Sequence, residues 1–137
     1  MSDDRGGTPA GLWNTIDDLW KWLEADQPVG GREGLLLRML KLSEEVGEVS
    51  EAVIGATGQN PRKGVTHTWE DVEAELCDVV ITALVALRTL TPEAREVFAR
   101  HLARVAERSL GTPGLLRPDS VRCGRSTDGR SDLAGPS

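Results

Sequence analysis

Met39-Leu40-Lys41-Leu42-Ser43-Glu44-Glu45-Val46-Gly47-Glu48-Val49 is the centre of a segment whose reading decides the fold. Met39, Leu42, Val46, Val49 and Val53 recur at spacings of three and four. That spacing is a narrow helical seam suited to packing against another helix. The helix should run from about Glu33 to Ala56, with Gly58 as its stop and Pro61 beyond. On a helical wheel Glu45 and Glu48 flank the seam, Glu44 lies farther from it, and Glu51 points to the far face.

Working outward, Thr68 is a capping candidate, with Glu70 and Asp71 placed to suit the dipole of a third helix from Trp69 to about Arg88. From Leu76 to Leu87 this helix is apolar or small except for Asp78 and Thr82, so Asp78 is its only charge there. An earlier helix is expected from Leu12 to about Ala25, carrying Trp13, Ile16, Leu19, Trp20 and Leu23, and broken by Pro28-Val29-Gly30-Gly31. Thr91-Pro92-Glu93 should open a fourth helix, with a capping hydroxyl and a proline at its first position, ending at Gly111. No strand pattern competes. The expectation is an all-α, four-helix domain over residues 12–111. Residues 1–11 read as a flexible arm, and 112–137 as a tail that loses hydrophobic periodicity after Leu116 and is expected to be disordered.

Bulk composition narrows the function. The 137 residues suffice for one domain. A net charge of −6 argues against a nucleic-acid binder held by phosphate contacts. No apolar stretch is long enough to span a bilayer, and the acidic N-terminus does not resemble a signal peptide, so a cytoplasmic protein is expected. Cys77 lies in a helical apolar run and Cys123 in a polar tail, which suits neither a disulfide framework nor a zinc site.

The carboxylates carry the chemistry. Residues three apart share a helix face, so Glu45 pairs with Glu48, and Glu75 with Asp78. Two helices turning these pairs together would build a cage of hard oxygen ligands of the kind Mg²⁺ or Mn²⁺ takes. Two plainer explanations compete. The glutamates can form a solvated acidic face, which suits Glu44 or Glu51 alone. Asp78 and Glu75 can be neutralised by Lys41, Arg38 or an arginine of the fourth helix. Four carboxylates in two pairs are hard to neutralise that way, and a lone Asp in an apolar run must be paired, protonated or metal-bound. The cation reading is preferred.

Glu44-Glu45-x-x-Glu48 followed by Glu75-x-x-Asp78 resembles the paired motif of the MazG-like, all-α nucleoside triphosphate pyrophosphohydrolases, over roughly residues 12–110. The resemblance implies a small helical bundle that forms homodimers or homotetramers. It implies a Mg²⁺-dependent site that cleaves a nucleoside triphosphate between its α and β phosphates, giving a monophosphate and pyrophosphate. By position, Glu45, Glu48, Glu75 and Asp78 would be metal ligands. Glu44 would be an added acid, binding a second metal or, with Glu45, serving the attacking water.

Phosphates not covered by metal need cations. Arg62 and Lys63 precede the third helix, and His101, Arg104 and Arg108 form a ladder on the fourth. The Lys-Asn pair usual in the family after the second motif is not evident, and a solvated face is the competing account for the ladder. His67 reads as a loop residue rather than a base. Trp20 is the candidate for contact with a nucleobase, while Trp13 reads as core or interface.

The leading expectation is thus a Mg²⁺-dependent nucleoside triphosphate pyrophosphohydrolase that clears non-canonical or surplus nucleotides and works as a homo-oligomer. A phosphoribosyl-ATP pyrophosphohydrolase is the nearest alternative, weakened because Val79-Val80-Ile81 lacks an aromatic-His continuation. A non-catalytic nucleotide-binding or interaction protein is the other.

Overall fold

A computed structural model describes residues 9–111. It contains α1 (Pro9–Asp26), α2 (Gly31–Thr57), α3 (Trp69–Leu90) and α4 (Ala94–Leu110), and no strand among the described residues. The all-α, four-helix expectation holds. Residues 1–8 of the expected arm and the whole tail lie outside the described residues, while Pro9 to Gly11 already belong to α1. No described helix is long and apolar enough to cross a membrane.

The helix ends follow local chemistry. Gly58 ends α2 in the left-handed region (φ 62°), and Gln59 N–H closes the turn onto Ile54 O at 3.2 Å. Thr68 opens α3 with a reciprocal capping box. Its Oγ1 accepts from Asp71 N–H at 3.2 Å, and Asp71 Oδ2 accepts from Thr68 N–H at 2.8 Å. The fourth helix begins two residues later than a proline at its first position would place it. Thr91 is the extended C-cap of α3, its N–H bonded to Leu87 O at 3.0 Å, while its Oγ1, the expected capping hydroxyl, accepts from Glu93 N–H at 3.1 Å. Pro92 disfavours a helical Thr91, so the chain needs one more turn before α4 can start.

α2 and α3 form an antiparallel hairpin and make the main packing contact. α1 lies on α3, and α4 touches α3 only lightly. Ile16 of α1 meets Leu84 and Val85 of α3 in a small core, with Trp13, Leu19, Trp20 and Leu23 packed around it. Arg38 ties three elements together: it pairs with Glu24 at 3.0 Å and donates to Gln27 Oε1 and Thr89 Oγ1. Arg88 does the same for α1, bonding Asp17 at 2.7 Å while lying over the Trp20 ring.

The buried positions of α2 are Gly34, Glu45, Ala52 and Gly55. This differs from the expected seam, in which Val46 took a central place; Val46 is exposed. The other seam residues, Met39, Leu42, Val49 and Val53, are half-buried, and a glycine–alanine stripe beside them lets the neighbouring chain approach closely. Glu45 lies on that stripe.

Candidate metal and phosphate site

Glu45 and Glu48 on α2 face Glu75 on α3, and one carboxylate oxygen from each lies within 4.8 Å of the others. Hard divalent cations bind oxygens at roughly 2.0–2.6 Å, so oxygens on opposite sides of one ion are separated by about twice that distance. The three carboxylates therefore fit around a single hard cation without moving the helices. Their donor set is oxygen only, which suits Mg²⁺ or Mn²⁺ rather than a thiolate-seeking metal.

The electrostatics of the cluster are those of crowded like charges. Glu48 is half-buried, and its carboxyl is held above the usual carboxylate range. Loss of hydration is the first cause; the charges of Glu45 and Glu75 and a hydrogen bond shared with Glu45 add to it, and Lys41 opposes it. Glu45 is only 7% exposed and is the one buried charged residue among those described. Lys41 compensates it, with Nζ 3.0 Å from Glu45 and 3.1 Å from Glu44. Hydrogen bonds to Glu45 first, and then to Glu44, hold the Lys41 ammonium above its ordinary range.

The remaining expected residues are placed as follows. Glu44 is exposed and belongs to the Lys41 ion pair rather than to the three-carboxylate cluster. Asp78 is exposed and stands outside that cluster. The inference that an Asp between apolar neighbours must be compensated assumed that the whole run is buried. It is not, because Leu76, Val80 and Ile81 around Asp78 are themselves exposed in the single chain. The competing neutralisation by Lys41 or Arg38 does not involve Asp78 or Glu75 either, since those cations serve Glu44, Glu45 and Glu24. Arg104, Arg108 and His101 are exposed on α4, and Arg62 is exposed on the α2–α3 connection. Trp20 is half-buried, with one ring face covered by Arg88, whose guanidinium carbon lies 3.9 Å from the ring centroid.

Two cavities lie along α2, neither lined by Glu45, Glu48 or Glu75. The first, of about 410 Å³, is apolar and opens between the three first helices, with Leu19, Leu23, Leu37, Ile81 and Val85 as its walls. Lys41 borders it, so its edge reaches the ion pair that holds Glu45. None of the four tryptophans lines it. The second, of about 380 Å³, is polar and lies between α2 and the connection to α3; Lys63 is one of its lining residues. Neither cavity was legible from periodicity, because each depends on how the 27–34 and 60–67 connections fold back on α2. Gly34 and Gly55, where a side chain would collide with those connections, were the only signal in the sequence.

Comparison of the chain with protein-family models, with curated proteins and with solved structures returned no match.

Proposed function

We propose that the chain is a Mg²⁺-dependent nucleoside triphosphate pyrophosphohydrolase of the MazG-like kind. The observation that carries the reading is the convergence of Glu45, Glu48 and Glu75 from two helices within 4.8 Å. These three would hold the ion, and Asp78, one helical turn beyond Glu75, is the fourth ligand of the proposal. Bound there, a divalent ion supplies polarisation of phosphoryl oxygens and a more acidic water. Glu44, exposed beside Glu45 in sequence and paired with Lys41, is the candidate to orient that water. The apolar cavity beside Lys41 gives the uncharged end of a nucleotide a place out of water. Mn²⁺ is the natural substitute ion.

A homodimer or homotetramer belongs to the same proposal. Leu36, Leu40, Leu76, Val80, Leu90 and Leu102 are all exposed in the single chain, and a second copy would cover apolar side chains of this kind.

The test is a panel of nucleoside and deoxynucleoside triphosphates assayed for pyrophosphate release with Mg²⁺, alongside Glu48→Ala. Release by the parent and none by the variant, which should remain folded, supports the reading. A fully active Glu48→Ala removes it. One observation favours a second reading: Lys41 already compensates Glu45 without any metal. A non-catalytic nucleotide-binding protein would show Mg²⁺-linked nucleotide binding by calorimetry and no pyrophosphate.

A further inference from the structure

Among the described residues, Lys41 alone both borders the apolar cavity and bonds to a member of the carboxylate cluster. Rotation about the helices, as well as position along them, brings the two features together. At roughly 100° per residue, the lining residues Gly34, Arg38 and Lys41 lie within about 40° of Glu45, and Glu48 lies about 60° from it. On α3 the lining residues Thr82, Val85 and Ala86 lie within about 80° of Glu75. Cavity and cluster therefore use the same sides of α2 and α3, with Lys41 one turn from Glu45. The cavity's polar side chains are Gln27, Arg38, Lys41 and Thr82. Arg38 is committed to structure, paired with Glu24 and donating to Gln27 and Thr89. Lys41 is different. Its partners, Glu45 at 3.0 Å and Glu44 at 3.1 Å, are acids of the proposed metal site. Its side chain is 48% exposed, so the ammonium has room to turn.

A divalent cation among Glu45, Glu48 and Glu75 would draw on the same negative charge that holds Lys41 and set a like charge beside the ammonium. The two cannot share Glu45 on equal terms. Lysine carries its charge on a flexible four-carbon stem, so its head can leave one acid for another anion at little cost. The ammonium that leaves Glu45 is still at the edge of the cavity. The walls, Leu19, Leu23, Leu37, Ile81 and Val85, suit an apolar ring, and about 410 Å³ is within the range of small-molecule sites. A ligand whose ring fills the cavity and whose phosphate reaches toward the cation brings that phosphate past Lys41. An ammonium binds phosphate as a point charge, without needing a fixed approach.

We infer that Lys41 is a binding residue with two alternative partners: Glu45 in the metal-free protein, and, once the cation is bound, the phosphate of a nucleoside monophosphate unit seated in the apolar cavity. It rests on the pyrophosphohydrolase reading for the identity of the ligand. The test is calorimetry with Mg²⁺ alone, and then with adenosine, guanosine, cytidine and deoxythymidine monophosphates at saturating Mg²⁺. The two roles give Lys41→Met effects of opposite sign. Mg²⁺ should bind about two- to five-fold tighter, because a competing cation is gone. The monophosphate that binds the parent best should bind about ten-fold weaker or more. Lys41→Arg should restore most of that loss. Leu37→Trp, which fills the cavity from its exposed side, should weaken the monophosphate and leave Mg²⁺ binding unchanged. Circular dichroism reports whether each variant is folded. No monophosphate binding by the parent overturns the inference, as does unaltered monophosphate binding in Lys41→Met. Equal losses of both ligands in a folded Lys41→Met would mark a merely structural role, and parent-like monophosphate binding in Leu37→Trp would place the ligand outside the cavity. The triphosphate panel reports separately on the reaction. Pyrophosphate release with unaltered monophosphate affinity in Lys41→Met sinks the role of Lys41 alone, and monophosphate binding through Lys41 without pyrophosphate release sinks the reaction alone.

Discussion

Lys41 Nζ lies 3.0 Å from Glu45 Oε1, an ion pair that reaches from the rim of the apolar cavity to the only buried charge among the described residues. Removing one member of such a pair leaves the other without compensation. Because the Lys41 ammonium is about half exposed, solvent screens the interaction, and Lys41→Met should cost about 1 kcal/mol rather than the larger value of a fully buried pair. The folded pKa of Lys41 is raised above 10.5, so its contribution is complete below that value and is lost only as pH rises through the folded pKa. The full cost is therefore present at neutral pH. If a divalent cation takes over the compensation of Glu45, the Mg²⁺-induced rise in Tm will be larger in Lys41→Met than in the parent. Equal shifts in thermal denaturation would show that no cation reaches Glu45.

Glu48 gives the opposite sign. Its folded carboxyl is held above the ordinary value of 4.5, so between that value and the raised one the folded state binds more protons than the unfolded chain. Stability must then fall as pH rises through this window, and at neutral pH the repulsion is fully expressed. Glu48→Gln is expected to make the metal-free protein more stable at pH 7, with the advantage shrinking as pH falls toward 4.5. Cation affinity in the parent should rise over the same window, since binding needs the ionised carboxylate. Urea denaturation at a series of pH values, with and without Mg²⁺, measures both.

What the residues revealed in advance depended on which signal each fact used. Helices α2 and α3, the Gly58 stop and the Thr68 cap were legible because periodicity and capping are local. So was the pairing of Glu45 and Glu48 with Glu75, because three-residue spacing fixes a shared face. Part of the buried face of α2 was not, because Gly34 and Gly55 carry no hydrophobic weight in a pattern although the connections pack directly on them. Asp78 shows a different limit. An apolar run predicts that something will cover it but does not say whether the cover is the same chain, and in the single chain it is not. The cavities required the folded connections, which no periodicity describes.

Gly55 makes that last dependence measurable. A methyl group there would come within 2.5 Å of Thr66 Oγ1 and even nearer to the His67 ring. The connection cannot simply swing aside without losing the bond from Thr66 N–H to Gly55 O. Gly55→Ala should destabilise the fold by about 1–3 kcal/mol, as overpacking generally does, even though alanine is the better helix former. It should also release the amide proton of Thr66 to faster hydrogen exchange while those of α1 remain protected. A stability equal to or above that of the parent in urea denaturation would mean that the connection does not lie on α2 in solution.

Val80 tests the assembly. It is 56% exposed on α3, four residues beyond Leu76, which is also exposed, so the two share one apolar face of the helix. Asp78 lies between them in sequence but on the other side of the helix, and stands outside the carboxylate cluster. A second copy covering this face would bury both side chains. Val80→Glu would then place an uncompensated carboxylate inside the interface. We expect sedimentation equilibrium to show a homo-oligomer for the parent and a monomer of unchanged helicity for Val80→Glu. Cation binding in that monomer should be retained, because Glu45, Glu48 and Glu75 converge within one chain. A monomeric parent at micromolar concentration would remove the interface.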